Sequence, residues 1–164
     1  VERRCAPRVT GITFQGADEA DATAQVESAL EDPALRAIIV CPSNPFLSID
    51  PILSLSGIRA QIEKAKVPVV AVSPIIGGKA VKGPTDKIMA ELDIPATSTA
   101  ILDHYDGLLG GLVIDETDSA DRTALDCPVH VTATLMKTDE DRARLAREVL
   151  DFADRIAMTG RRQT

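Results

Sequence analysis

Short runs of consecutive apolar residues alternate along this chain with segments whose apolar residues recur at helical spacing. Residues 37–41 and 67–73 are apolar almost throughout, which is typical of parallel strands covered on both faces. Residues 112–115 and 129–134 predict two further strands, and the alternating pattern of residues 9–14 predicts another one before them. The pattern therefore indicates a sheet whose strands are separated by helices.

The predicted helices lie between these strands. Asp50 followed by Pro51 predicts an N-cap and a first helical residue, and Thr138 with Asp141 approximates a capping box. Because strands and helices alternate, we predict an α/β fold with a mostly parallel sheet, formed by one domain or part of one. The five predicted helices cover residues 18–31, 50–66, 85–92, 97–105 and 138–156.

Composition excludes several classes of function. The net charge of −7 over 164 residues argues against a nucleic-acid surface. No apolar run approaches the roughly 20 residues that span a bilayer, so we expect no membrane contact. Cys5, Cys41 and Cys127 are widely spaced without a CxxC pair, which argues against disulfides and a zinc site and favours the reducing cytoplasm. We expect Cys41 to be a small core residue.

The first of two candidate loops, PSNPFLSID (residues 42–50), leaves the strand at 37–41. Ligands of parallel sheets bind outside the carboxyl ends of the strands, where such loops converge. The hydrogen-bonding groups in this loop come from Ser43, Asn44 and Ser48, and its backbone is restricted by Pro42 and Pro45.

The second candidate loop, SPIIGGKAVKGP (residues 73–84), leaves the next strand. Its glycines permit close backbone approach to a ligand, and its lysines supply charges suited to phosphate. Glycine, proline and serine are also ordinary loop formers, and neither loop matches GxxxxGK[ST] or GxGxxG, so the composition alone leaves ligand contact open. The candidates in this loop are Gly77, Gly78, Lys79, Lys82 and Gly83.

Other polar groups carry weaker signals. His104 lies near a predicted helix end, where a histidine usually caps the helix or faces solvent. The acidic run from Asp115 to Asp121 lacks the spacing of a calcium loop, so we interpret it as a solvated turn. His130 has no matched partner in the sequence and is interpreted as structural.

Four motifs together resemble one protein family. They are IIVCPSNPFLSIDPIL, VPVVAVSPIIGGKAVKGP, DHYDG and LVIDETD, and they resemble the 2-phospho-L-lactate transferase (CofD-like) family. The resemblance spans roughly residues 9–152 and corresponds to the C-terminal half of that family. It implies a three-layer α/β/α Rossmann-like fold in which residues 1–164 are the C-terminal part of a single CofD-like transferase domain. The start VERRCAPR, without Met, fits the expectation of a partial domain.

The resemblance implies a step in coenzyme F-420 biosynthesis. A phospho-organic acid (2-phospho-L-lactate, phosphoenolpyruvate or phosphoglycerate) would move from a guanosine-diphosphate-activated donor to a deazaflavin alcohol precursor, with magnesium assisting and GMP leaving. Both loops are expected to hold the diphosphate region of the donor. The family's catalytic and magnesium-binding residues belong to its N-terminal half, so we expect no metal ligand and no turnover in this chain alone. An incomplete sheet edge would also favour a homo-oligomer.

Two other interpretations stay open. Some relatives of the family bind nucleotide sugars and regulate cell-wall growth without transferase activity, and they favour a glycine-serine loop where this chain has Ser43, Asn44 and Pro45. A generic nucleotide-binding α/β domain of unrelated role is the third interpretation, and it predicts that substituting Asn44 leaves donor affinity unchanged.

Overall fold

The computed structural model describes residues 6–81 and 83–160. Four parallel strands form the central sheet in the order β1-β2-β5-β6, and β3 and β4 form a separate antiparallel hairpin. In chain order the strands are β1 (Ile38–Val40), β2 (Val69–Val72), β3 (Ile75–Ile76), β4 (Lys79–Ala80), β5 (Gly111–Asp115) and β6 (Val129–Thr132).

Helices fill the connections between the strands of the sheet. A π-helix at Pro45–Ile49 runs directly into α2, and a 3₁₀ helix at Glu116–Ala124 joins β5 to β6. The α-helices are α1 (Ala24–Leu30), α2 (Asp50–Leu53), α3 (Ile58–Lys64), α4 (Thr85–Glu91), α5 (Ser98–His104) and α6 (Asp139–Gly160).

The alternation of side chains along β2 separates two hydrophobic cores. Val69 and Ala71 belong to a core on one face of the sheet, together with buried residues of α3, α4 and α5. Val70 and Val72 belong to the other core, where Phe152 and its neighbours on α6 cover them. The structure therefore confirms the predicted three-layer α/β/α Rossmann-like fold. No helix among residues 6–81 and 83–160 has the length and apolar character needed to cross a membrane.

The predicted strand at residues 9–14 is wrong. The backbone amide of Val9 donates to the Glu91 carboxylate over 2.8 Å, so this segment lies along α4 instead of pairing with a strand. The predicted helix at residues 18–31 is also too long, since only Ala24–Leu30 is helical. Val26 is 43% exposed, and this helix buries too little apolar surface to extend toward residue 18.

Asp50 is not an N-cap. Helical structure begins earlier because Asn44 caps the π-helix, accepting a hydrogen bond from the Leu47 amide over 3.0 Å. The single helix predicted for residues 50–66 is broken before α3, where Gly57 adopts a φ of 75°. Cys41 is exposed instead of lying in the core, because it follows the last residue of an edge strand.

Candidate functional site

A cavity of about 290 Å³, here called the strand-end cavity, lies at the carboxyl ends of the parallel strands. Its wall has three parts, which come from the loop after β1, from the segment between β2 and α4, and from the chain after β6. The lining residues are Pro42, Ser43, Asn44, Ser48, Ser73, Pro74, Ile76, Val81, Gly83, Thr85, Thr134, Leu135 and Met136.

The cavity brings together only some of the residues predicted from the sequence. Pro42, Ser43, Asn44 and Ser48 from the first loop and Gly83 from the second loop line it. Pro45 is buried at the start of the π-helix. Gly77, Gly78 and Lys79 belong to the hairpin and are not part of the lining, and Lys82 lies outside the described residues. A ligand role for these residues stays a prediction.

Asn44 lines the cavity and has an unused hydrogen-bond donor in its side chain. Its carboxamide oxygen accepts from the Leu47 amide, which fixes the orientation of the side chain. Its Nδ2 atom is buried and has no hydrogen-bond partner among the described residues. A buried donor without a partner costs about 1–3 kcal/mol, and a ligand acceptor that reached this atom would recover that cost.

Every described residue that lines the strand-end cavity has an uncharged side chain. Apolar groups from Ile76, Val81, Leu135 and Met136 contribute to the wall beside the hydroxyls and the Asn44 carboxamide. This mixture suits a flat heterocycle or a sugar. The expectation that the two loops hold the diphosphate region stays a prediction, because Lys82, between the lining residues Val81 and Gly83, lies outside the described residues.

Asp115 fixes the third part of the cavity wall, which is the chain after β6. It is only 6% exposed, and its Oδ1 atom accepts from the Thr117 amide and hydroxyl over 3.0 and 2.7 Å. Its Oδ2 atom accepts from the Thr134 amide and hydroxyl over 2.8 and 3.0 Å. Burial by itself would raise the pKa of this carboxyl, but the four hydrogen bonds favour the charged form and hold its pKa below the ordinary value.

Asp118 fixes the turn between β3 and β4. Its carboxylate accepts from the amides of Gly77 and Gly78 over 2.9 and 3.2 Å. These glycines have φ angles of 60° and 73°, which side chains strongly disfavour. The interpretation of the acidic run as a solvated turn is therefore wrong for Asp115, which is buried. Asp118 lies in a largely exposed turn, but its carboxylate binds backbone groups far away in the sequence.

Sequence reasoning missed the cavity residues that follow β2 and β6. Ser73 is almost fully buried, and its hydroxyl accepts from the Ile75 amide over 3.2 Å. Thr134 is also buried, and its amide and hydroxyl both donate hydrogen bonds to Asp115. Ser73 comes directly after β2 and Thr134 comes two residues after β6, so their position near a carboxyl end was the signal that could have identified them.

The two histidines lie outside the cavity lining. His104 Nε2 lies 2.8 Å from Asp50 Oδ1, and its ring meets Phe46 edge to face at 4.8 Å. His130 stacks on Phe152 with 5.5 Å between the ring centroids, and its Nε2 lies 3.7 Å from Glu148 Oε2. These contacts pack His130 against α6, and its interpretation as a structural residue stays a prediction.

Metal binding finds no support within the described residues. No group of three or more His, Cys, Asp and Glu side chains among residues 6–81 and 83–160 could hold a metal ion. Asp115 and Asp118 use their oxygens for the hydrogen bonds above. The described residues therefore provide no cluster of three such side chains for a magnesium ion.

Comparison with known proteins identifies relatives of the chain. Residues 1–152 match the family model described as 2-phospho-L-lactate transferase CofD. The 2-phospho-L-lactate transferase of Methanocaldococcus jannaschii is 35% identical over 152 residues, which are 93% of this chain and 48% of the relative. The enzyme of that name from Methanosarcina mazei is 39% identical over 153 residues, covering 92% of this chain and 49% of the relative. The chain thus spans about half the length of the curated relatives it matches.

Proposed function

Because the chain belongs to the 2-phospho-L-lactate transferase CofD family, we propose that the protein is a transferase of coenzyme F-420 biosynthesis. It moves a phospho-organic acid from a guanosine-diphosphate-activated donor to the deazaflavin alcohol precursor. The acid is 2-phospho-L-lactate, phosphoenolpyruvate or phosphoglycerate. The protein acts in the cytoplasm in this proposal.

The proposed reaction exchanges one bond to phosphorus for another. The hydroxyl oxygen of the deazaflavin alcohol attacks the phosphorus of the phospho-organic acid and loses its proton. The anhydride bond between that phosphorus and the guanosine nucleotide breaks, and GMP leaves with the bridging oxygen and the electron pair. Phosphoryl transfer of this kind depends mainly on positioning and on neutralising charge.

We assign the strand-end cavity to the nucleoside end of the donor. The observation that supports this assignment is that Asn44, whose Nδ2 atom has no hydrogen-bond partner among the described residues, lines the cavity, since guanine presents the acceptors O6 and N7. The uncharged side chains of the described lining residues support the same end of the molecule. The volume lies near the lower limit of about 300 Å³ for ligand pockets, so the cavity suits part of the donor better than both substrates.

The proposal assigns no magnesium-dependent step to the residues of this chain. In phosphoryl transfer a bound magnesium ion neutralises charge on the phosphates. The described residues do not fit such an ion, so the proposal assigns metal and catalytic residues to the part of the relatives that this chain does not match.

Binding and turnover by the full-length protein test the proposal. The transferase should bind both GDP and the deazaflavin alcohol in calorimetric titrations, and it should release GMP when donor, alcohol and magnesium are supplied together. A nucleotide-sugar-binding regulator of the same fold would bind the nucleotide and leave the alcohol unbound. Absence of alcohol binding would therefore reject the transferase.

The variant Asn44→Ser tests the assignment of the cavity. Serine retains a helix-capping oxygen but lacks the carboxamide nitrogen, so the π-helix stays capped while the donor to the ligand disappears. We expect GDP to bind about tenfold more weakly, because one acceptor of the bound base loses its partner. Titration with GDP and a thermal melt measure the two effects separately.

Thr97→Ala provides the matched control, because the Thr97 hydroxyl caps α5 and Thr97 is not a lining residue of the cavity. This control should lower stability without changing GDP affinity. Unchanged affinity in Asn44→Ser would favour a nucleotide-binding domain of unrelated role.

A further inference from the structure

The acidic segment, defined as residues 115–118, touches two of the three parts of the cavity wall. We propose that Asp115 and Asp118 are positioning residues that hold these two parts in the arrangement that binds the nucleotide. This inference rests on the proposed function, and neither residue lines the cavity itself.

Asp115 connects the end of β5 to the chain after β6. Its Oδ1 atom is held within its own turn by Thr117, whereas its Oδ2 atom binds both polar groups of Thr134, nineteen residues away. Thr134 is a lining residue, and Leu135 and Met136 follow it in the wall. The orientation of one buried carboxylate therefore sets where the third part of the wall begins.

Arg144 supports the same part of the wall from the opposite side of the chain. Its guanidinium donates to the Ala133 carbonyl over 2.5 Å and to the Thr132 hydroxyl over 3.0 Å. The backbone that leads into Thr134 is thus fixed by α6 at one residue and by Asp115 at the next. This arrangement leaves the wall little freedom while Asp115 stays ionised.

Asp118 holds the hairpin that carries another part of the wall. The hairpin turn at Gly77 and Gly78 has both amides bound to this carboxylate, and the lining residues Ile76 and Val81 flank it. A side chain at Gly77 would come within 3.4 Å of Thr117 Cγ2, so the acidic segment packs directly on the turn. The turn and Val81 are exposed, so Asp118 orients a part of the chain that contributes little to the core.

The variants Asp115→Asn and Asp118→Asn test the inference in the full-length protein, with GDP as the probe. A carboxamide nitrogen cannot accept the amide hydrogen bonds, so each variant releases one part of the wall. We expect GDP to bind about tenfold more weakly to Asp115→Asn and about fivefold more weakly to Asp118→Asn. Asp118→Asn should keep the unfolding temperature of the unchanged protein, because its hydrogen bonds are exposed.

The direction of the change in GDP affinity distinguishes a positioning role of the two aspartates from a simple effect of their charge. Removing a negative charge would by itself strengthen the binding of an anionic nucleotide. Glu116→Gln is the matched control, since Glu116 is an exposed carboxylate of the same segment and makes no side-chain hydrogen bond to the described residues. This control should bind GDP equally well or more tightly, whereas the two aspartate variants should bind it more weakly.

Amide resonances in NMR spectra give a signature that a general loss of stability would not produce. In Asp118→Asn the amide signals of Gly77 and Gly78 should shift upfield, and in Asp115→Asn the signal of Thr134 should shift. These shifts together with weaker GDP binding support the inference. Unchanged GDP affinity in both variants overturns it while leaving the proposed function intact, and failure of the unchanged protein to bind GDP rejects both.

Discussion

Gly111 begins β5 in the interior of the sheet, where a side chain would meet α6. A Cβ atom there would lie 2.6 Å from Ile156 Cδ1 and 2.9 Å from Phe152 Cε1. The end of Ile156 can rotate away, but Phe152 is buried and stacked on His130. Gly111→Ala should therefore destabilise the protein by about 1–3 kcal/mol, as measured by urea unfolding.

Gly110→Ala is the control for this substitution. A Cβ atom at Gly110 would have its nearest neighbour at 3.7 Å, an ordinary contact, and the residue lacks a positive φ. We expect its stability to change by less than about 1 kcal/mol. Equal losses in the two variants would show that close contact with Phe152 is not the cause.

Single residues also show what the sequence could and could not predict about the site. Asn44 and Ser48 were predicted because they follow a buried strand, and both line the cavity. The roles of Asp115 and Asp118 could not be predicted, because their partners Thr134 and Gly77 lie far away in the sequence. Hydrogen bonds between distant loops leave no pattern in residue spacing.

Among the elements, the four strands of the sheet were predicted, and β2 and β5 are short apolar runs that are buried throughout. Such runs can be satisfied only by burial on both faces, so tertiary structure and local pattern agree. The alternating pattern at residues 9–14 failed because a strand also needs a neighbour, and this segment binds Glu91 instead. The helix start predicted at Asp50 is wrong because the Asn44 side chain caps the π-helix, so helical structure begins at Pro45.

The capping box of α6 permits a test at the level of one element. The Thr138 hydroxyl accepts from the Asp141 amide, and the Asp141 carboxylate accepts from the Thr138 amide over 3.0 Å. Thr138→Ala should lower the free energy of unfolding by about 1 kcal/mol, because it leaves a helix amide without its partner.

Thr159→Ala is the comparison near the other end of α6, where the exposed hydroxyl donates to the Arg155 carbonyl. It should change stability by less than about 0.5 kcal/mol. Urea titrations of both variants measure the difference, and a loss in Thr159→Ala as large as that in Thr138→Ala would contradict the capping argument.

For the whole molecule, the decisive fact is that the chain spans about half the length of its relatives. The described residues include the strand-end cavity but no group fit for a metal. We therefore expect the isolated 164 residues, supplied with donor, deazaflavin alcohol and magnesium, to release no GMP. Chromatographic detection of GMP measures this, with the full-length protein as the positive control. Release at the full-length rate would show that this chain holds every catalytic group.

The arrangement of the two cores has a consequence for how the protein is made. All crossovers between neighbouring strands proceed in one direction across the sheet, and their helices cover a single face. Within the described residues the other face is covered by α6, which the ribosome synthesises after every strand. The four strands are therefore synthesised before the helix that covers Val70, Val72 and Val113. We expect this apolar face to favour aggregation in folding intermediates in which α6 has not yet packed.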